Sequence, residues 1–324
     1  MIKPIGGYFE WEFATNNGSF PHSDGVLLNS GRHSLEYILK SLDTIRCLWI
    51  PYYTCDVVLQ PIERLRIPYS FYHINKDFTL AEEVALSEGE YLIYTNYFGL
   101  MDAYCKDLAK RYANQLILDY AQALFAPFIE GINVFYSPRK FVGIPDGGIA
   151  YVNNIPSIEF HKDYSYDKCA HLLKRHDLTP MDGYNDFRNN SHIIAVSPLS
   201  SMSTLTKRMM SSLDFDFIRN QRVSNFSYLH KNLSNSNELQ IPSFDSFSCP
   251  MVYPYYTNDS KLRKHLISNQ IFIATYWPNV LEWCKEDDIE YNLATKIIPI
   301  PIDQRYNEDD MRRIIQLLYM NYEK

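Results

Sequence analysis

The sequence has 324 residues, of which 46% are apolar and 21% charged, and its formal net charge is −7. This composition excludes an intrinsically disordered chain and predicts a sizeable core with more than one domain. The acidic balance argues against nucleic-acid binding, and no apolar run is long enough to cross a bilayer. The six scattered cysteines form no CxxC pair, and the N-terminus has no signal-peptide pattern, so we expect free thiols and a cytoplasmic protein.

The first half of the sequence alternates between helical patterns and short apolar runs. Each helix is predicted from apolar residues at helical spacing, and each strand from an apolar run that ends in polar residues. In chain order these segments are a helix in "SLEYILKSL", a strand in "RCLWI", a strand in "EYLIYT", a helix in "MDAYCKDLAKRYA", and strands in "QLILDY", "INVFYS" and "GGIAYVN".

This alternation predicts an α/β fold with a mostly parallel central sheet and flanking helices. Such sheets bind ligands at the carboxyl ends of their strands. Thr54, Asn96, Asp119 and Ser137 each follow an apolar run, so we expect them at that edge.

The second half of the sequence has a different pattern. Residues 157–234 are helical and polar, and a loop rich in Ser, Asn and Pro follows. After it come apolar runs and two helical patterns typical of a smaller α+β unit. The predicted organisation is an N-terminal arm at 1–20, a large α/β domain at 21–234 and a small C-terminal α+β domain at 235–324.

Asp119 and Lys140 are the first two candidate functional residues. Asp119 directly follows "LIL", where it is either a helix cap or a fixed anion facing a ligand. Lys140 and its neighbour Arg139 resemble an ordinary basic surface pair. However, Ser137 precedes Lys140 by three residues and Gly147–Gly148 follows, and glycines permit positive φ and the close backbone approach that an inward-turning lysine would need.

The third candidate is the helix start at Ser30–Gly31. Free backbone N–H groups at such a terminus can bind an anion, and Arg32 could add a bidentate contact to a phosphate. The alternative is a simple Ser/Gly cap. A phosphate at a helix start, a carboxylate for a ring nitrogen and a lysine for an aldehyde together indicate pyridoxal 5′-phosphate (PLP).

Several segments resemble the DegT/StrS-type PLP-dependent sugar aminotransferases of the fold-type-I superfamily. The resemblance covers about residues 25–153, with a looser match near the C-terminus. The matching segments are "LNSGRHSLEYIL", "WIPYYTC", "ILDYAQAL", "YSPRKFVGIPDGG" and "IIPIPIDQRYNEDDMRRIIQLL".

The resemblance implies a role for each matching residue. Lys140 corresponds to the lysine that bonds to the cofactor aldehyde, Asp119 to the partner of the pyridine nitrogen, and Gln122 to the glutamine near the phenolic oxygen. The phosphate would be held by Gly31, Arg32 and Ser137. The full predicted cofactor site is Gly31, Arg32, His33, Cys55, Asp119, Gln122, Ser137 and Lys140, with Lys140 and Asp119 catalytic.

The sequence departs from the family pattern at three positions. Leu118 replaces the usual Glu, and Phe135 replaces the serine five residues before the lysine. Cys55 stands where an aromatic ring often stacks on the cofactor. Either Cys55 packs on the ring itself, or Tyr52 or Tyr53 does so.

The resemblance implies a homodimeric aminotransferase that takes an amino group from a donor such as glutamate and transfers it to a nucleotide-linked keto-sugar. Two alternatives remain open. One is another PLP reaction such as sugar dehydration, against which the presence of Lys140 argues. The other is a PLP-fold protein that no longer catalyses and serves as a binding or regulatory module.

Overall fold

The computed structural model describes residues 7–14 and 19–320. Strands and helices alternate through the first half of the chain, and helices predominate after residue 169. The strands are β1 Val26–Leu28, β2 Cys47–Pro51, β3 Tyr69–Tyr72, β4 Glu90–Thr95, β5 Leu116–Tyr120, β6 Asn133–Tyr136, β7 Gly148–Tyr151, β8 His161–Lys162, β9 Ser200–Ser201, β10 Val252–Tyr256 and β11 Ile297–Pro301. The helices are α1 Gly31–Ser41, α2 Leu59–Arg64, α3 Asp102–Tyr112, α4 Ala170–Asp177, α5 Tyr184–Val196, α6 Thr204–Ser211, α7 Phe215–Leu233, α8 Leu262–Ser268, α9 Val280–Trp283, α10 Ile289–Lys296 and α11 Glu308–Tyr319.

Nine strands form the central sheet, in the order β3-β2-β4-β5-β6-β7-β1-β9-β8. The five strands from β3 to β6 in this order run parallel, whereas β7 is antiparallel to both β6 and β1. A parallel neighbour would need a long crossover, usually helical. Only a short turn at Pro138–Lys140 and a loop join β6 to β7, so the chain reverses instead. The predicted α/β fold with a mostly parallel sheet is confirmed.

Helix α1 begins at a conventional cap. The side chain of Ser30 accepts a hydrogen bond from the backbone N of His33 at 3.2 Å. Leu35, Ile38 and Leu39, at helical spacing, are buried against the sheet. The helix packs on β6 and β7, which places its N-terminus beside the carboxyl end of β6.

The sheet separates two apolar clusters. Leu35, Ile117 and Phe135 belong to the cluster on the α1 face. The larger cluster on the other face includes Leu118 and continues into the C-terminal region through Tyr253. Because β5 is buried on both faces, it reads in the sequence as an unbroken apolar run that ends at Asp119.

The C-terminal region contains the antiparallel pair β10–β11 and helices α8 to α11. Helix α7 packs on both α11 and β10. Asn307 and Asp310 form a reciprocal capping box at the start of α11. The domain division that we propose at residue 234 falls at the C-terminal end of α7.

Residues 7–12 of the N-terminal arm are exposed, whereas Phe20 at its end is buried in the larger apolar cluster. Tyr8 is 100% exposed, Phe9 91% and Trp11 58%. Residues 1–6 and 15–18 of the predicted arm lie outside the described residues. Within the described ranges, no helix is long and apolar enough to cross a membrane.

Candidate functional site

Asp119 lies near the carboxyl end of β5, opposite Thr95 of β4. The residue is 6% exposed. One carboxylate oxygen accepts a hydrogen bond from the backbone N of Ala121 at 2.8 Å, and the other accepts from the Thr95 hydroxyl at 3.5 Å. Burial raises the pKa of Asp119, while the positive charge of Lys140 and these hydrogen bonds oppose the rise. The structure therefore places a partly stabilised carboxylate at the predicted edge of the sheet.

Lys140 ends the short 3₁₀ turn Pro138–Lys140 that follows β6. Its backbone N donates to the carbonyl of Ser137 at 3.1 Å, and its side chain is exposed. The charge of Lys140 acts on both Asp119 and Cys55. The fold thus brings together the lysine and the carboxylate, which are 21 positions apart in the sequence.

Two residues missed by the sequence analysis hold the chain next to Lys140. The carbonyl of Phe141 accepts from Nη2 of Arg222 at 3.1 Å and from Nε2 of Gln304 at 3.0 Å. Arg222 is buried on α7, and its Nη1 donates to the carbonyl of Met251 at 3.0 Å. The lysine turn is therefore tied to the C-terminal region. Arg222 gave no local signal, because an arginine in a polar helical pattern is usually solvated.

Gln122, three residues after Asp119, is fully buried. Its Oε1 accepts from the backbone N of Phe98 at 2.6 Å. Its Nε2 is also buried and has no hydrogen-bond partner among the described residues. A buried amide donor without an acceptor costs about 1–3 kcal/mol, so this nitrogen suits a ligand oxygen.

The start of α1 touches Ser137. A Cβ placed on Gly31 would lie 3.3 Å from Cβ of Ser137 and 3.6 Å from its hydroxyl oxygen. A larger residue at either position would push the helix away from the lysine turn. The structure therefore brings together the helix start and the serine that were both predicted to hold a phosphate.

The Gly147–Gly148 pair allows β7 to approach the start of α1 closely. The backbone N of Gly147 donates to the carbonyl of Asn29 at 2.6 Å, and a Cβ on Gly148 would lie 2.1 Å from the carbonyl oxygen of Ser30. Gly147 also has a φ of +140°, which favours glycine. The close approach that these glycines permit is thus between β7 and the start of α1, and not around Lys140.

The side chains of Arg32 and His33 contact the segment of α5 and the residues after it. Nη1 of Arg32 donates to the carbonyl of Ser191 on α5 at 3.2 Å. The ring of His33 is buried, with Nδ1 against the side-chain oxygen of Asn29 and Nε2 3.2 Å from the carbonyl of Ser197. Burial lowers the pKa of His33 to about 4. The His33 ring is therefore occupied by structural contacts, and what remains available at this helix turn is backbone N–H.

Cys55 faces Lys140. Burial raises the pKa of its thiol to about 11, and the charge of Lys140 is the largest opposing influence. Sγ lies 3.5 Å from a carboxylate oxygen of Asp56.

The two tyrosines that precede Cys55 are occupied elsewhere. The Tyr52 ring stacks on Phe71 with centroids 4.6 Å apart. Tyr53 is fully buried and packs against Tyr97 and Trp277. Of the three residues considered for a ring-stacking role, Cys55 is the one whose thiol interacts with the lysine.

Leu118 and Phe135, the other departures from the family pattern, are buried in the two opposite apolar clusters. Phe135 pairs with Asp119 across β5 and β6. Without a hydroxyl at residue 135, Ser137 is the serine at the helix junction.

No protein-family model matches the sequence, and no curated protein matches it. Solved structures do match. Spr1654 of Streptococcus pneumoniae, described as a putative sugar aminotransferase, has a TM-score of 0.62 at 14% identity over 90% of this chain and 84% of its own. DesV of S. venezuelae, solved in complex with a ketimine intermediate, has a TM-score of 0.61 at 14% identity over 91% of this chain and 83% of its own.

A DegT DnrJ EryC1 StrS aminotransferase from Brucella abortus has a TM-score of 0.59 at 12% identity, over 90% of this chain and 84% of its own. At identities of 12–14%, these matches show a similarity of fold. The resemblance indicated by the sequence motifs is confirmed at that level: the chain has the fold of the DegT/StrS-type aminotransferases.

Proposed function

We propose that this protein is a PLP-dependent aminotransferase that transfers an amino group from an amino acid to a keto-sugar. The observation that carries the proposal is that the positive charge of Lys140 acts on the buried carboxylate of Asp119 at the carboxyl edge of the sheet. An amine and a carboxylate in this arrangement match what PLP requires of its protein.

The other residues at this edge fit the same cofactor. The unpartnered Nε2 of Gln122 suits the phenolic oxygen. The junction of Gly31 with Ser137 offers a helix N-terminus and a hydroxyl to the phosphate. Cys55 offers a small, polarisable side chain near the lysine. When bound, PLP supplies an electron sink for the carbon that loses a proton.

Each residue would have a separate task. Asp119, an anion shielded from water, would hold a proton on the pyridine nitrogen. Nζ of Lys140 would accept the proton from the α-carbon of the amino donor and return it during transfer to the second substrate. Hydrogen bonds from Arg222 and Gln304 to the carbonyl of Phe141 would keep the lysine turn in place.

The substrate class rests on the fold likeness and the motifs. We propose a nucleotide-linked keto-sugar as amino acceptor and glutamate as donor, in the synthesis of a surface polysaccharide or a natural product. The six free cysteines suit the reducing cytoplasm, where we place the enzyme.

We also propose that the enzyme works as a homodimer. The side chain of Lys140 is exposed in the single chain, although a PLP site must exclude water. Tyr8, Phe9 and Trp11 are exposed as well. A second copy of the chain that covered Lys140 and these aromatic side chains would exclude water from the site.

The test is direct. Purified protein is titrated with PLP, reduced with borohydride and mapped by peptide mass spectrometry, with Lys140→Arg as variant and Lys106→Arg, an exposed lysine on α3, as control. We expect a visible absorption band and a pyridoxyl label on Lys140 in wild type and Lys106→Arg, and neither in Lys140→Arg. Glutamate should abolish the band with release of 2-oxoglutarate.

Two outcomes would count against the proposal. A label on another lysine would refute the site. A label on Lys140 whose band responds to no amino donor would leave a binding module, the alternative raised by Leu118, Cys55 and Phe135.

A further inference from the structure

A short segment of the C-terminal region packs on the loop that follows β2. The ring centroid of Trp277 lies 5.1 Å from that of Tyr53. Nδ2 of Asn279 donates to the carbonyl of Thr54 at 2.9 Å. Tyr276, which directly precedes Trp277, is therefore held at the same interface.

Tyr276 lies beside the residues of the candidate site. Its ring centroid is 5.8 Å from that of Phe98, whose backbone N donates to Oε1 of Gln122. Cys55 is within electrostatic range of both Tyr276 and Lys140. The hydroxyl of Tyr276 and the amine of Lys140 therefore border the same space, although 136 positions separate the two residues in the sequence.

The hydroxyl of Tyr276 is available to a ligand. It has no hydrogen-bond partner within the described part of the chain, and the residue is partly exposed. Burial raises the pKa of Tyr276 to about 12, so the hydroxyl keeps its proton at neutral pH and can donate. Together with Nε2 of Gln122, it is a donor without an acceptor at this site.

The surroundings of this hydroxyl favour an anion. The guanidinium of Arg222 acts electrostatically on Tyr276, and Arg222 is only 2% exposed. Within the described residues Arg222 forms no ion pair, because its hydrogen bonds go to uncharged oxygens. The carboxylate that acts on it most, that of Asp303, pairs with Arg305 at 2.7 Å. A buried positive charge without a counterion is stabilised by an anion nearby.

The polar groups of PLP are already assigned to other residues. In the proposed function Asp119 takes the ring nitrogen, Gln122 the phenolic oxygen and Lys140 the aldehyde. The start of α1 takes the phosphate. The hydroxyl of Tyr276 is therefore left for the second reactant at the site, which is either the amino acid or the keto-sugar.

We propose that the hydroxyl of Tyr276 donates a hydrogen bond to a carboxylate of the amino donor. A carboxylate is favoured over a sugar hydroxyl because the charges of Arg222 and Lys140 make this side of the site positive, and a hydrogen bond to an ionised acceptor is the stronger one. The inference rests on the proposed function for the identity of the donor, and on the packing of the C-terminal region for the position of the hydroxyl.

The test separates the hydroxyl from the ring. Tyr276→Phe keeps the ring, and Tyr319→Phe, at an exposed tyrosine of α11, is the matched control. Three quantities are measured: the Kd of PLP, the Kd of 2-methylglutamate on the PLP-loaded protein, and the Tm. Because 2-methylglutamate carries both carboxylates of glutamate but no α-proton, it reports binding without turnover.

We expect Tyr276→Phe to weaken binding of 2-methylglutamate by about tenfold or more, because a hydrogen bond to a charged group is lost, and to leave the Kd of PLP within about twofold. Its Tm should match that of wild type, because the hydroxyl has no partner in the folded chain. Unchanged binding of 2-methylglutamate, or an equal loss of PLP binding with a lower Tm, would overturn the proposal.

Alkylation of Cys55 separates this inference from the proposed function, because it needs no cofactor. Glutamate should slow the reaction of Cys55 with iodoacetamide, followed by peptide mass spectrometry, in wild type and Tyr319→Phe but not in Tyr276→Phe. If Lys140 takes no pyridoxyl label and this difference persists, the proposed function fails and the carboxylate contact stands. If the label forms and glutamate protects Cys55 equally in all three proteins, the reverse holds.

Discussion

Asp119 carries its charge where water cannot stabilise it. Burial raises its pKa above the ordinary 3.8, although Lys140, Ala121 and Thr95 oppose the rise. As the pH increases, the carboxylate in the unfolded chain therefore ionises first. Above about pH 4 this residue lowers the stability of the cofactor-free protein, so its retention calls for a functional reason.

Asp119→Asn should separate function from stability. The amide oxygen can still accept from the backbone N of Ala121, but the charge is gone. We expect PLP binding to weaken and turnover to fall by about tenfold to a hundredfold, the range for a lost charge-assisted hydrogen bond. In urea unfolding at pH 7.5, the apo variant should be at least as stable as wild type, with the difference shrinking toward pH 4.5.

Asp287→Asn, at an exposed position, is the matched control and should change neither quantity. An apo variant that is less stable than wild type at pH 7.5, with unchanged PLP binding, would make Asp119 a structural cap, which was the alternative reading of its sequence context.

His33 should control the acid stability of the fold. Its pKa is about 4 in the folded chain and 6.5 in its ordinary state, so the folded chain keeps the ring neutral while the unfolded chain binds a proton. The stabilising contribution is complete above pH 6.5 and declines as the pH falls toward 4, by roughly 3 kcal/mol.

His33→Gln should remove that decline. Unfolding free energies measured at pH 7.5 and pH 4.5 should differ less in this variant than in wild type. His192→Gln, on the exposed side of α5, should keep the wild-type difference. An unchanged pH dependence in His33→Gln would show that the ring is accessible to solvent, and would return it to the list of ligand-binding candidates.

The positions of Asp119 and Ser137 at the carboxyl edge of the sheet could be predicted from the sequence, because each follows an apolar run that forms a strand. Contacts that depend on the packing of distant elements could not be predicted. Arg222 acts on the lysine turn from 81 positions away. Arg139 looks solvated in the sequence, but in the structure its guanidinium lies 6.0 Å from the ring centroid of Phe187 on α5.

At the scale of the structural elements, the junction of β7 with α1 leaves no room for a side chain at Gly148. A Cβ on Gly148 would lie 2.1 Å from the carbonyl oxygen of Ser30 and 2.6 Å from the hydroxyl of Ser34. Backbone atoms cannot yield as a flexible side chain does. The close packing of the start of α1 on β7 therefore requires glycine at position 148.

Gly148→Ala should force α1 away from β7. We expect a loss of about 3 kcal/mol or more in unfolding free energy, at the upper end of overpacking costs. PLP binding should weaken with it, because the helix start and Ser137 separate. Gly143→Ala, whose Cβ would meet only Leu172 at 3.6 Å, should cost less than about 1 kcal/mol. Similar losses in both variants would contradict the packing argument.

The predicted elements were recovered wherever apolar periodicity was strong, as in α1 and β5. The antiparallel direction of β7 could not be predicted from periodicity, because the pattern of a buried strand is the same in either direction. The direction of β7 depends on the segment that connects it to β6. Because the loop after Lys140 contains no crossover helix, β7 runs antiparallel to β6.

At the scale of the whole molecule, two regions are exposed to solvent in the single chain: the candidate site and the N-terminal arm. Lys140 is exposed at the site. Tyr8, Phe9 and Trp11 are exposed in the arm. Within the described residues, Glu10 of the arm forms an ion pair with Arg208, and the ring of Phe20 at the end of the arm is buried.

A homodimer would bury these rings, and we expect an interface of the obligate class, above about 2,000 Å² in total. Light scattering at micromolar concentration should give a dimer mass for wild type. The triple variant Tyr8→Ser, Phe9→Ser and Trp11→Ser should shift toward monomer and bind PLP more weakly, because the site loses the cover supplied by the second copy. Ile267→Ser with Phe272→Ser, two exposed apolar residues of the C-terminal region, is the control and should remain dimeric. A monomeric wild type that binds PLP and turns over would refute the shared site, and a triple variant that stays dimeric would place the interface elsewhere on the chain.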